Sequence, residues 1–173
     1  MASCTTTDGL RLYYEDEGRG APVLCLAGLT RNARDFDFLA PHMRDRRLIR
    51  MDYRGRGCSD HDPDFMNYNI VREGQDALEL LDHLGVERVT LIGTSRGGLI
   101  AMALSLSHAD RLAGVVLNDI GPEVTAAGIE RIMDYVGKPP TLASLDEAAD
   151  TLKAVHAADF PGVPLERWRV QAE

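Results

Sequence analysis

Arg88-Val89-Thr90-Leu91-Ile92-Gly93-Thr94-Ser95-Arg96-Gly97-Gly98-Leu99-Ile100-Ala101-Met102-Ala103-Leu104-Ser105-Leu106 decides the fold. Its opening run, Arg88 to Ile92, is short, β-branched and apolar, the composition of a buried strand. The run from Gly98 to Leu106 is rich in good helix formers. Between them Gly93-Thr94-Ser95-Arg96-Gly97 forms a G-x-S-x-G pentapeptide, with a serine at the apex of a strand-to-helix turn. So sharp a turn needs neighbours without bulky side chains two residues to either side, and glycine meets that need. Ser95 is the candidate nucleophile.

The flanking sequence has the same rhythm. Cys4 to Thr7 and Leu10 to Glu15 flank Asp8-Gly9, a strong hairpin signal between β-prone runs. Gly18 to Pro22 reads as a loop and Val23 to Ala27 as a buried strand that opens into Gly28-Leu29-Thr30. Phe36, Leu39 and Met43 recur at helical spacing, so Arg34 to His42 is expected to form an amphipathic helix. Arg47 to Met51 is the next strand, running into a turn from Asp52 to Asp60. Asp52 there reads as a turn former. Gly55-x-Gly57 is half of a dinucleotide fingerprint, but the third glycine and the following helix are missing, so no nucleotide cradle is expected. Asn69 is a candidate cap for a helix bearing Ile70, Ala77, Leu78, Leu81 and Leu84, stopped at Gly85. Arg111 to Asn118 reads as one more buried strand, ending at Asp119. Alternation of strands and helices implies a mostly parallel sheet covered by helices. After Gly121-Pro122 strands stop. Glu123 to Val136, Ser144 to Ala157 and Pro164 to Ala172 read as helices, separated by Pro139-Pro140 and Pro161-Gly162-Val163-Pro164.

Composition narrows the partners. The chain has 173 residues, 45% of them hydrophobic, enough for one substantial core. A net charge of −8 argues against nucleic acid or an anionic membrane as the main partner. No stretch reaches transmembrane length and Met1 to Asp8 is polar, so the expected location is the cytoplasm. Three cysteines, Cys4, Cys25 and Cys58, give neither a metal pattern nor a disulfide framework, and Cys25 is expected to be a buried thiol. No metal and no cofactor are expected.

Four ordered features together resemble the α/β-hydrolase superfamily. They are the early hairpin, the strand into Ala27-Gly28-Leu29, the turn Asp52-Tyr53-Arg54-Gly55-Arg56-Gly57-Cys58-Ser59, and Gly93-Thr94-Ser95-Arg96-Gly97-Gly98. The segment Leu117 to Glu123 is similar to the family's entry into its helical cap. The resemblance implies an α/β-hydrolase core over residues 1–121 and the start of a cap over 122–173. It implies a serine hydrolase acting on a small ester or related acyl substrate through a covalent acyl-enzyme. Ser95 would attack, and the backbone N–H groups of Leu29 and Arg96 would hold the oxyanion. A serine at the elbow argues against haloalkane dehalogenase and epoxide hydrolase, whose elbows carry a carboxylate. C–C hydrolase, lactonase and haloperoxidase chemistry stay open.

The family's acid and histidine normally follow the cap, and this chain ends at Glu173 within it. The expectation is therefore that the last strands of the fold are absent and that the chain alone lacks a complete triad. None of the five histidines, His42, His61, His83, His108 and His156, reads as the base. Asp119 is the possible acid, since some family branches take it from this position, although a turn-shaping role competes. A non-catalytic or degenerate binding protein of the same fold is the alternative. Without further strands beyond Asn118, Val115-Val116-Leu117 would form an open edge, to be covered by a second copy or another chain.

Overall fold

The β-prone runs pair into a six-stranded sheet of order β1-β2-β4-β3-β5-β6. Its strands are β1 (Ala2–Thr5), β2 (Arg11–Gly18), β3 (Ala21–Leu26), β4 (Arg46–Met51), β5 (Val89–Thr94) and β6 (Leu112–Asn118). β2 pairs antiparallel with both β1 and β4, whereas β4, β3, β5 and β6 run parallel to one another. The computed structural model describes residues 2–133, 136–138 and 141–172. It divides into two compact units, Met1–Val124 and Thr125–Glu173.

The hairpin forms as expected: Gly9, at φ 89°, closes the turn by donating to the Thr6 carbonyl at 2.9 Å. The loop expected over Gly18 to Pro22 is shorter. β2 runs through Gly18 and β3 starts at Ala21, because both edges find partners on β4. The chain leaves β3 toward β4 on one side, and β5 lies on the other. This reversal is a topological switch point at the C-terminal end of β3, the position at which α/β sheets place their sites.

The first helical segment differs from expectation. Arg34 to His42 is not one α-helix but two 3₁₀ turns, Ala33–Phe36 and Ala40–His42. Pro41 has no N–H to offer the Asp37 carbonyl, and its ring would collide with it. The apolar spacing still shows what faces inward: Phe36 is buried, and Leu39 and Met43 pack against the core.

Helix α1 (Ile70–His83) is capped by the Asn69 side chain, which accepts from the N–H groups of Val71 and Arg72 at 3.0 and 2.9 Å. Helix α2 (Arg96–Ser107) follows the elbow and buries Ile100, Ala101 and Leu104. Leu12, Leu24, Leu26, Ile49, Leu80 and Leu91 are sealed from solvent in the same core. Cys25 is buried too, and burial pushes its thiol up to about 12. β6 lies at the sheet edge, as expected for Val115-Val116-Leu117, and is less buried than its apolar run suggests: Val115 is 36% and Val116 50% exposed, and among the described residues only β5 pairs with it.

The second unit is helical: α3 (Ala126–Met133), α4 (Leu145–His156) and α5 (Leu165–Ala172). The expected helix from Glu123 to Val136 is realised as α3, with residues 134 and 135 outside the described residues, as is the Pro139-Pro140 loop. Ser144 caps α4 by accepting from the Glu147 N–H at 3.2 Å. α4 and α5 meet through His156 stacked on Trp168, ring centroids 5.8 Å apart, with Phe160 edge-on. This is a helical region of the kind that caps the fold. No helix among the described residues is long and apolar enough to cross a membrane.

Candidate active site

Ser95 stands between the end of β5 and the first turn of α2 with φ 49° and ψ −112°. A non-glycine residue in that region carries a backbone cost of about 1–3 kcal/mol and persists only where its surroundings enforce it. Three hydrogen bonds do so. Its N–H donates to the Asn118 carbonyl at 2.9 Å, and its carbonyl accepts from Gly98 and Leu99 at 2.9 and 3.3 Å. The glycines explain why the turn can be so tight. A Cβ on Gly93 would lie 2.5 Å from the Gly97 carbonyl oxygen, and one on Gly97 would run into the Leu26 carbonyl. Helix α2 is thereby drawn against the ends of β3 and β5. The half-buried Ser95 hydroxyl caps no helical N–H and is unpaired among the described residues.

The loop after β3 lies alongside. A Cβ on Gly28 would come 3.9 Å from the Ser95 Cβ, so backbone approaches the serine closely here. The Gly28 carbonyl accepts from Arg31 N–H at 3.2 Å, which orients the peptide carrying the Leu29 N–H. Arg96 is the first residue of α2, where N–H groups have no intrahelical partner and the helix dipole favours negative charge. Leu29 and Arg96 thus stand on the two chain segments that converge on Ser95.

Beneath these segments lies a charged layer that reading the sequence did not find. Glu73 of α1 is sealed from solvent and receives Arg96 Nε on one carboxylate oxygen at 2.8 Å and Arg56 on the other at 3.1 Å. Arg56 also donates from Nε to the Leu29 carbonyl at 2.7 Å. Tyr53 donates to the Ala27 carbonyl at 3.1 Å, and burial pushes its phenol upward. Asp52 is the turn former it was expected to be, accepting from Ala33 and Cys58 N–H groups at 2.8 Å each. Burial raises its carboxyl above the usual range, against the pull of those two donors. A signal was present: Glu73 and Asp76 occupy the same helical stripe as Ala77, Leu80 and Leu81, and acids on an apolar face call for buried cations.

The other candidates lie elsewhere. Asp119 leaves β6 with φ 55°, one residue after the carbonyl that holds the Ser95 N–H, and its side chain is exposed. Among the described residues of the first unit no histidine bonds Ser95. His42 and His61 are exposed, His83 approaches the Tyr14 hydroxyl at 3.4 Å, and His108 bonds Ser107 at 2.8 Å. His156 belongs to the second unit, stacked on Trp168. No cluster of potential metal ligands occurs among the described residues.

Residues 21–167 match the family described as alpha/beta hydrolase fold. The chain belongs to that family. It is 34% identical over 174 aligned positions to the 3-hydroxybutyrate-oligomer hydrolase of Cupriavidus necator, covering 98% of this chain and 59% of that protein. It is 36% identical over 110 positions to haloalkane dehalogenase 2 of Mycobacterium tuberculosis, covering 63% of this chain and 38% of that one. A crystal structure of an alpha/beta hydrolase from Novosphingobium aromaticivorans superposes with a TM-score of 0.88 at 42% identity, over 97% of this chain and 60% of that one. The chain thus spans about three fifths of the length of the Cupriavidus necator hydrolase and of the Novosphingobium aromaticivorans hydrolase. Members of the family carry out varied hydrolytic reactions, and this chain has the family's helix-flanked sheet topology and a cap-like helical region.

Proposed function

We propose that Ser95 is the nucleophile of a serine hydrolase that cleaves a small ester or related acyl substrate through a covalent acyl-enzyme. The observation that carries this is the enforced backbone of Ser95, which lifts an unpaired hydroxyl between a strand end and a helix start. In this reading the N–H groups of Leu29 and Arg96 hold the oxygen that becomes negative as the acyl carbon turns tetrahedral. Residues 1–121 then carry the nucleophile and the oxyanion donors, and 122–173 contribute to substrate selection as a cap. Asp119 keeps a place as candidate acid by its position at the C-terminal end of β6. Serine rather than a carboxylate at the elbow favours acyl transfer over halide displacement. The likeness to a 3-hydroxybutyrate-oligomer hydrolase makes short oligoesters of a hydroxy acid the first substrates to assay.

The natural full-length protein, incubated with a fluorophosphonate, is expected to be labelled on Ser95, and Ser95→Ala is expected to abolish both labelling and p-nitrophenyl acetate turnover. Labelling that persists in Ser95→Ala would overturn the assignment. A second reading, a binding protein of the same fold without turnover, is favoured by the lack of a histidine bonded to Ser95 in the first unit. Acetate release no faster in wild type than in Ser95→Ala would support it.

The open edge of β6 carries an expectation of its own. For the 173-residue chain by itself, sedimentation velocity should show association that grows with protein concentration, and Val116→Lys should weaken it by placing a charge on the edge. A monomer at every concentration would contradict edge pairing.

A further inference from the structure

We propose that Glu73 is a positioning residue for the oxyanion site, tying the segment that carries Leu29 to the one that carries Ser95 and Arg96. The inference rests on the assignment of the Leu29 and Arg96 N–H groups above.

Glu73 is 0% exposed, and an ion so placed must be paired and hydrogen-bonded. Both of its oxygens are, and each goes to a different segment, one to the start of α2 and one to the turn after β4. Oε2 receives Nε of Arg96, whose own N–H is one proposed donor, with a second arm of that guanidinium reaching the Tyr68 carbonyl at 3.4 Å. Oε1 receives Arg56, whose Nε is spent on the carbonyl of Leu29, the residue with the other proposed donor. One carboxylate therefore lies two links from the Leu29 peptide and one link from Arg96. Glu73 itself is anchored in the first turn of α1, where its N–H donates to the Asn69 carbonyl at 3.0 Å and the helix dipole favours an anion.

The arrangement also balances charge. Two mostly buried guanidinium groups, 18% and 15% exposed, converge on a single anion. Without it they repel each other, and the loops they belong to move apart. Donors in an oxyanion site act only when fixed where charge develops, and a misplacement near 1 Å costs about 10²-fold in rate.

The test measures kcat and KM for p-nitrophenyl acetate in the natural full-length protein, with functional sites counted by fluorophosphonate. For Glu73→Gln, kcat per titrated serine should fall about 10- to 100-fold while KM stays within about threefold. The inhibition constant of phenylboronic acid, whose serine adduct places an oxygen in the oxyanion site, should rise by the same factor. A merely structural Glu73 lowers the number of titrated sites but leaves kcat per site and boronate affinity unchanged. That result would overturn the proposal. Should Glu73→Gln not fold, Arg56→Lys carries the test, since it keeps a cation beside Glu73 and gives up the bond to Leu29. A fall in kcat of about tenfold at constant KM is expected, and an unchanged kcat overturns the link. Failure of the underlying assignment looks different, because wild type would then show no Ser95-dependent labelling or turnover at all, and both readings would fall together.

Discussion

Gly97→Ala is expected to cost about 3 kcal/mol or more of stability and to suppress Ser95 reactivity about 100-fold. The reason is steric and local. A Cβ at this position would run into the Leu26 carbonyl oxygen, lie 2.6 Å from the Leu26 carbonyl carbon and 2.9 Å from the Ala27 carbonyl oxygen. All three are backbone atoms at the end of β3, which cannot swing aside as a long side chain would. Leu26 is paired in register with Gly93 of β5, so moving it disturbs the strand that carries the elbow. Either α2 lifts off the sheet or the β3–β5 pairing gives way, and both separate Ser95 from the Leu29 loop. Thermal unfolding should drop by about 6–12 °C in a domain of this size. Gly114→Ala is the control. Its Cβ would meet only the Thr90 side chain at 3.8 Å, an ordinary contact, so its stability should stay within about 0.5 kcal/mol of wild type. Equal losses in the two variants would mean that glycine flexibility, rather than close approach, sets the requirement at the elbow.

The contrast between these glycines shows what the sequence makes legible. The elbow was readable because its causes are local: an apolar β-branched run, a serine, two glycines two residues away, then helix formers. Hairpin, α1 cap and the alternation of strands and helices were readable for the same reason, each resting on residues within a few positions of one another. Pro41 shows the limit of periodicity. Phe36, Leu39 and Met43 correctly mark the inward face, but one missing N–H turns the helix into two short turns. β6 shows another limit, since its apolar run by itself reads as a buried strand, and only the order of elements in the sheet marks it as an edge. Glu73, Arg56 and Arg96 show a third. Their contacts join residues 17 and 23 positions apart, and only the fold brings them together. The histidine question has the same origin, because a base is defined by distance to Ser95 and not by spacing along the chain.

Arg54→Met is expected to destabilise the core by about 3–5 kcal/mol. Arg54 is sealed from solvent at the turn after β4, although it lies only two residues before the more exposed Arg56. It meets Asp76 of α1 in a two-pronged pair, Nε at 2.7 Å and the terminal nitrogen at 2.6 Å, and also contacts Asp62 and Asp8. Asp76 is itself fully buried, so removing the guanidinium leaves it with Arg72 alone, at 2.9 Å. The cost is that of a stranded anion and not the net worth of the pair. Arg54→Met combined with Asp76→Leu should therefore recover at least half of the loss, because an apolar pair of similar volume carries no such penalty. The pH dependence follows with a definite sign. Burial raises the Asp76 carboxyl above its ordinary value of 3.8, and the bonds from Arg54 oppose that rise. Without Arg54 the folded-state value rises further, and a group with a raised folded value gains stability as pH falls toward it. In wild type the Asp62 carboxyl is held below its ordinary 3.8, by the Asp64 N–H and then by Asn67 and Arg54. For Asp8, burial raises the carboxyl, but hydrogen bonds from Thr6 and Arg54 together outweigh it, so this carboxyl too is held below 3.8. Those two contribute stability above that value and lose it below, so they do not protect wild type in acid. The gap in melting temperature between wild type and Arg54→Met should thus narrow steadily from pH 7 to pH 4.5. A gap that widens over that interval would mean that Asp76 is not the anion the guanidinium neutralises.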